Sequence, residues 1–244
     1  PDDATWSKIG PTQGDLYGQS VASAGDVNDD GYADVIIGSP LYAETAGGDK
    51  IGAAFIYRGS STGVDSETYE VKLTSKKGSN FGAAVSSAGD VNGDGYDDVV
   101  IGAPKHHDPD GIGANGAAYV FHGSASGIQT TPAWSKTGAD NSEFGCAVAG
   151  VGDVNGDNYD DVLVGACTYG ADPIEGAGAV FLFLGSAGGL SPAAEPFADW
   201  TSVGLYAGDS LGHSVAALGD LNKDGYADFA AGAPGFDVNV YDLI

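Results

Sequence analysis

The chain has 244 residues, 41 of them glycine, with 42% hydrophobic content and a formal charge of −25 at neutral pH. Twelve tyrosines and nine phenylalanines supply enough apolar bulk for a packed core, which excludes a disordered chain. Only nine lysines and arginines are present, too few to neutralise a phosphate backbone, so nucleic acid is excluded as a partner.

No stretch approaches the ~18 consecutive apolar residues of a membrane span, and no membrane insertion is expected. Methionine is absent, which points to a mature or trimmed fragment without its initiator.

In chain order, the first element is a short extended pattern around Trp6, at about 4–9. Tyr17-Gly18 then leads through a short apolar run into the nine-residue loop DVNDDGYAD, which starts at Asp26. The β-branched run Val35-Ile36-Ile37 follows and closes on Gly38-Ser39-Pro40. An alternating strand over 53–58 and a further one over 68–74 complete the unit.

The same order then returns. Phe81-Gly82 precedes DVNGDGYDD at Asp90, Phe144-Gly145 precedes DVNGDNYDD at Asp153, and Leu211-Gly212 precedes DLNKDGYAD at Asp220. Third-strand equivalents fall at 117–122, 178–184 and 237–243, and fourth-strand equivalents at 132–138 and 198–204.

A period near 64 with four short strands per unit and no helical periodicity predicts an all-β propeller. The repeats run approximately over 11–74, 75–138, 139–204 and 205–244 with 1–10, within a single domain. Because the chain starts on a fourth strand and stops on a third, the N-terminal strand can complete the last blade. Four four-stranded blades closed in this way are expected, and the alternative is a fragment of a seven-bladed ring. Closure removes exposed strand edges.

Each loop reads D-x-N-x-D-[GN]-x-x-D, in which side chains at positions 1, 3, 5 and 9 and the backbone carbonyl at position 7 offer oxygens. Calcium takes six to eight oxygen ligands in irregular geometry, whereas magnesium prefers octahedral sites with retained waters. The predicted metal ligands are Asp26, Asn28, Asp30, Tyr32 and Asp34 in the first loop, and Asp90, Asn92, Asp94, Tyr96 and Asp98 in the second. The third offers Asp153, Asn155, Asp157, Tyr159 and Asp161, and the fourth Asp220, Asn222, Asp224, Tyr226 and Asp228.

A metal-free turn explains one such loop, but not three carboxylates and an amide at fixed spacing four times over. Three carboxylates held together without a cation repel one another. About four calcium ions are expected, bringing the formal charge from −25 to −17. Position 6 is expected to be left-handed, which suits Gly31, Gly95, Asn158 and Gly225. The tyrosine ring after it is expected to pack as a plug.

Phe81-Gly82, the loop at 90–98 and Gly102-Ala103-Pro104 together resemble the FG-GAP repeat of the integrin alpha-subunit β-propeller, and the other three units are similar. The resemblance covers essentially the whole chain. It implies a propeller with calcium between the first two strands of a blade, and a secreted or cell-surface role in adhesion or ligand binding. Integrin propellers are similar in blade but have seven of them, only some with calcium. The short loops are also similar to microbial FG-GAP proteins, and such repeats occur beside hydrolase or lyase domains.

In integrin propellers the face opposite the calcium loops is similar to a binding surface. In this chain that face is expected to present Tyr42, Glu44, the 106–110 loop, Tyr169, Asp172 and Phe236, with Asp15, Asn80, Asp140 and Asp209 between blades. A protein or glycan ligand is expected there, and an oligomer is compatible with the sequence. His106 and His107 read as part of a solvated loop, because adjacent residues on an extended segment point apart. His122 and His213 read as structural.

Cys146 and Cys167 flank the third hairpin and fit either a disulfide in an oxidising compartment or two buried thiols. No serine–histidine–acid spacing, phosphate loop or zinc pattern is present. The expected function is therefore a calcium-binding extracellular propeller module that is not an enzyme. The alternative is an accessory or catalytic propeller of a polysaccharide-acting hydrolase or lyase.

Overall fold

The computed structural model describes residues 6–64, 69–107, 114–170, 173–191 and 198–236. Every regular element among them is a β-strand. The first sheet holds β1 (Val21–Gly25), β2 (Asp34–Ser39), β3 (Ala53–Tyr57) and β4 (Val71–Thr74). The second holds β5 (Ala84–Gly89), β6 (Asp98–Ala103), β7 (Ala117–Phe121) and β8 (Trp134–Thr137). The third holds β9 (Phe144–Gly152), β10 (Asp161–Ala166), β11 (Ala179–Phe183) and β12 (Trp200–Val203), and the fourth β13 (Ser214–Gly219) and β14 (Asp228–Gly232). Within each sheet the strands pair antiparallel in sequence order, as propeller blades do.

The second strands are continuous apolar runs because both of their faces are covered. All residues of β6 and β10 are buried. The inner strands β1, β5, β9 and β13 are made of small residues, since they crowd one another along the row of blades. A register shift recurs near the end of each, where Gly25, Gly89, Gly152 and Gly219 take positive φ and turn the strand into its loop.

Neighbouring blades meet backbone to backbone. A Cβ at Gly38 would collide with the carbonyl oxygen of Gly82, and Gly102 stands in the same relation to Gly145, as does Gly165 to Gly212. The glycine of each Phe-Gly pair thus brings two blades within carbonyl contact. The aromatic partner fills the core below: Phe81 packs edge-on against Tyr119 and Phe121, and Phe144 packs against Phe181 and Phe183.

The expected sealed ring is not formed. The described part of the N-terminal segment, residues 6–10, is not a strand, and the third-strand equivalent at 237–243 lies outside the described residues. β1 and β13 face solvent at the two ends of the row, with Val21 59% and Leu218 43% exposed. Among the described residues the row of blades is open, because β1 is flanked by another blade only on the β5 side and β13 only on the β9 side. Among the described residues no helix is long and apolar enough to cross a membrane.

Candidate metal loops and the opposite face

The four acidic loops join the first and second strands of their blades, so the hairpin itself gathers the side chains. Position 6 is left-handed throughout, with φ of 86° at Gly31, 90° at Gly95, 69° at Asn158 and 95° at Gly225. Position 4 is left-handed as well, at Asp29, Gly93, Gly156 and Lys223. The glycines at 93 and 156 are the sequence signal of that second reversal.

The two reversals turn the loop amides inward. Asp26 accepts hydrogen bonds from the amides of Asp30 (3.0 Å) and Gly31 (2.7 Å), and Asp90 accepts from Gly93, Asp94 and Gly95 at 2.7 to 3.1 Å. Asp153 and Asp220 hold their loops in the same way. Position 5 accepts from the tyrosine amide at position 7 and from the side-chain amide at position 3, as in Asp30 with Tyr32 and Asn28.

Position 9 does something the spacing alone did not disclose. Asp34 accepts from the amides of Val27 (3.0 Å) and Gly59 (2.7 Å), tying its loop to the turn after β3. Asp98 does so with Val91 and Gly123, and Asp161 with Val154 and Gly185. This explains the glycine of each Gly-Ser turn, where a Cβ would collide with the carbonyl of position 8.

Burial pushes these carboxyls up, with further contributions from position 5 and position 1 carboxylates: Asp98 to about 7 and Asp161 to about 6, with Asp34 raised as well. Negative charge is therefore crowded and partly desolvated in the first three loops.

The donor set is all oxygen, three carboxylates and one amide per loop, and suits a hard cation. Among the described residues, no three His, Cys, Asp or Glu side chains already form a metal-ready group. The carboxylates are instead folded onto their own loop's amides. The tyrosine rings do not plug their own loops either. Tyr159 lies over Gly93 and Tyr226 over Gly156, each covering position 4 of the preceding loop.

On the opposite face, several expected surface groups are internal. Tyr42 is buried against Phe55, and its hydroxyl meets Glu44 and Lys72. Asp15 and Asp209 are buried and accept backbone amides of their own turns, Thr12 and Tyr17 for one, Leu205 and Tyr206 for the other. Asn80 is half-buried and Tyr169 packs on Phe181. Glu44, Asp140 and Phe236 are exposed, and Tyr206 is exposed beside Phe236.

His106 is buried and bonded to the Tyr119 hydroxyl, so it is a core group and not part of a solvated loop; His107 is exposed. Asp108, Asp110 and Asp172 lie outside the described residues. His122 is half-buried beside Asn92, and burial lowers its pKa; His213 is exposed. Cys146 and Cys167 form a disulfide, with Cα atoms 6.2 Å apart.

A family model described as the FG-GAP repeat matches four segments, residues 17–57, 81–121, 144–183 and 211–243. The chain is 38% identical over 157 residues to integrin alpha-6 of Gallus gallus, covering 62% of this chain and 13% of that protein. It is 35% identical over 200 residues to integrin alpha-PS3 of Drosophila melanogaster, covering 80% of this chain and 17% of that protein. Integrin alpha-4 of Xenopus laevis is 31% identical over 164 residues, covering 64% of this chain and 15% of that protein. The chain thus spans less than a fifth of the length of these relatives.

Proposed function

Because the chain belongs to the FG-GAP repeat family, we propose that it is an extracellular, calcium-binding propeller module that presents a ligand-binding surface and performs no catalysis. The observation that carries the calcium reading is the recurrence of one oxygen-only loop four times, with the position 9 carboxyl buried and crowded by its neighbours in the first three. Asp, Asn, Asp and Asp at positions 1, 3, 5 and 9 would hold the ion, together with the carbonyl of Tyr32, Tyr96, Tyr159 or Tyr226. The ion supplies positive charge that relieves carboxylate repulsion and fixes the hairpin. Affinities on the order of 10⁻⁴–10⁻³ M suit such extracellular loops.

The disulfide supports a secreted or cell-surface location, since such bonds persist in oxidising compartments. The ligand is read as a protein or a glycan on the face opposite the metal loops, where Tyr206 and Phe236 form an exposed aromatic pair. The hydrolase reading loses its best residue, because His106 is held in the core by Tyr119.

Native mass spectrometry with and without chelator tests the calcium reading. Four additional calcium masses and a melting temperature that falls in chelator are expected. A mass and a melting curve indifferent to both calcium and chelator would overturn it. Protein and glycan arrays, read in calcium and then in chelator, test the ligand.

A further inference from the structure

The position 8 residue of the second, third and fourth loops faces the preceding blade and not its own hairpin. Asp97, in the second loop, accepts a hydrogen bond from the amide of Asp26 at 2.7 Å and donates its own amide to the Asp26 carbonyl at 3.1 Å. Asp160, in the third loop, does the same to Asp90, at 2.9 and 3.2 Å. Position 8 of the fourth loop is Ala227, which keeps the bond from its amide to the Asp153 carbonyl at 2.9 Å but offers no carboxylate. Space has been cleared for the carboxylates: a Cβ at Gly25 would overlap Asp97, and one at Gly89 would overlap Asp160.

Two more contacts run in the same direction. The amides of Ser124 and Ser186 donate to the carbonyls of Val27 and Val91, each at 3.1 Å, at position 2 of the preceding loop. The rings of Tyr159 and Tyr226 cover position 4 of the preceding loop. The first, second and third loops are therefore each held from outside by the blade that follows. The residue gripped by the carboxylate is the first of the nine, whose own side chain gathers the loop amides.

We propose that Asp97 and Asp160 are positioning residues for the calcium loops of the preceding blades, so that the first, second and third loops are ordered as a linked series. This rests on the calcium reading above. Neither side chain stands at a ligand position of its own loop. Each acts through the backbone of the neighbouring Asp26 or Asp90, as a hydrogen-bonding partner one step removed from a metal does. Among the described residues the third loop is held by two bonds fewer, because the fourth blade offers it only the Ala227 amide.

Hydrogen exchange read peptide by peptide during a calcium titration of the full chain tests this. In Asp97→Ala the peptide covering 26–34 should gain protection only at about tenfold higher calcium, while the peptide covering 90–98 keeps its midpoint. Asp97→Asn, which retains an acceptor oxygen, should restore much of the loss. Ala227→Asp should lower the midpoint of the peptide covering 153–161, a gain that misfolding cannot produce.

An unchanged 26–34 midpoint in Asp97→Ala, or equal shifts in both peptides, overturns the proposal. Absence of any calcium-dependent protection in the unaltered chain overturns the calcium reading itself, and with it this one.

Discussion

Trp6 packs edge-on against Tyr57 with ring centroids 5.2 Å apart, in the relation that Trp134 holds to Phe183 at 4.9 Å. Tyr57 and Phe183 are both the last residue of a third strand. The N-terminal segment therefore occupies, against the first blade, the position that the fourth strand of one blade takes against the next. Trp6→Ala should lower the stability of the chain by about 1–2 kcal/mol, as loss of an aromatic pair and part of its burial predicts. Trp134→Ala should lower it more, by about 3–5 kcal/mol, because that ring is buried and its nitrogen donates to the Ser191 carbonyl. Denaturant titration of both variants checks the order.

The position 9 carboxyls make the metal-free protein sensitive to pH. Their folded pKa values lie above the ordinary carboxylate range, to about 7 at Asp98 and about 6 at Asp161. The folded state then binds protons more tightly than the unfolded one, so this contribution is present near pH 4 and lost as pH rises toward 7. In chelator the melting temperature should fall from pH 5 to pH 7.5. With calcium added the fall should shrink, since the ion favours the ionised form. Melting curves at both pH values, with and without calcium, give the comparison.

The disulfide closes a segment with a sequence separation of 21 across the third hairpin. Chain-entropy estimates put its contribution at about 3 kcal/mol. A Cys146→Ser, Cys167→Ser double variant should lose that amount in a denaturant titration, and reductant should lower the stability of the parent chain but leave the variant unchanged.

Glycine at the Phe-Gly pairs should be irreplaceable where a neighbouring blade is present. Gly82 has φ of 87°, and a Cβ there would overlap the Ala53 carbonyl. Gly82→Ala should lose well over the ~1–2 kcal/mol of left-handed strain alone. Gly18→Ala, with the same backbone but open space around it, should lose only that strain. Their difference in denaturation midpoint measures the contact between blades.

The strands and loops were legible because they repeat: the same glycines, β-branched runs and aspartates mark each blade, and position 6 turns as its glycine implies. What stayed hidden concerns where a polar side chain points. Asp97 and Asp160 read as ordinary acids at non-ligand positions, since their partners lie about 70 residues away in the chain. Tyr42, Asp15 and Asp209 sit on connections that pattern alone assigns to the surface, yet each is drawn inward by backbone amides or an aromatic neighbour. His106 reads as solvated because adjacent histidines on an extended segment point apart, while Tyr119 on the next strand holds it in the core. The open ends were the other miss, as a strand count cannot tell whether terminal strands reach one another.

The one-way grip of each blade on the preceding loop has a mechanical corollary. Under tension between its ends, the row of blades is not uniformly strong. Among the described residues, the joints gripped through Asp97 and Asp160 carry two bonds from position 8 and one from a serine amide, whereas the joint at Ala227 carries one. The fourth blade should peel away first, so the chain has a built-in breaking point at its C-terminal side.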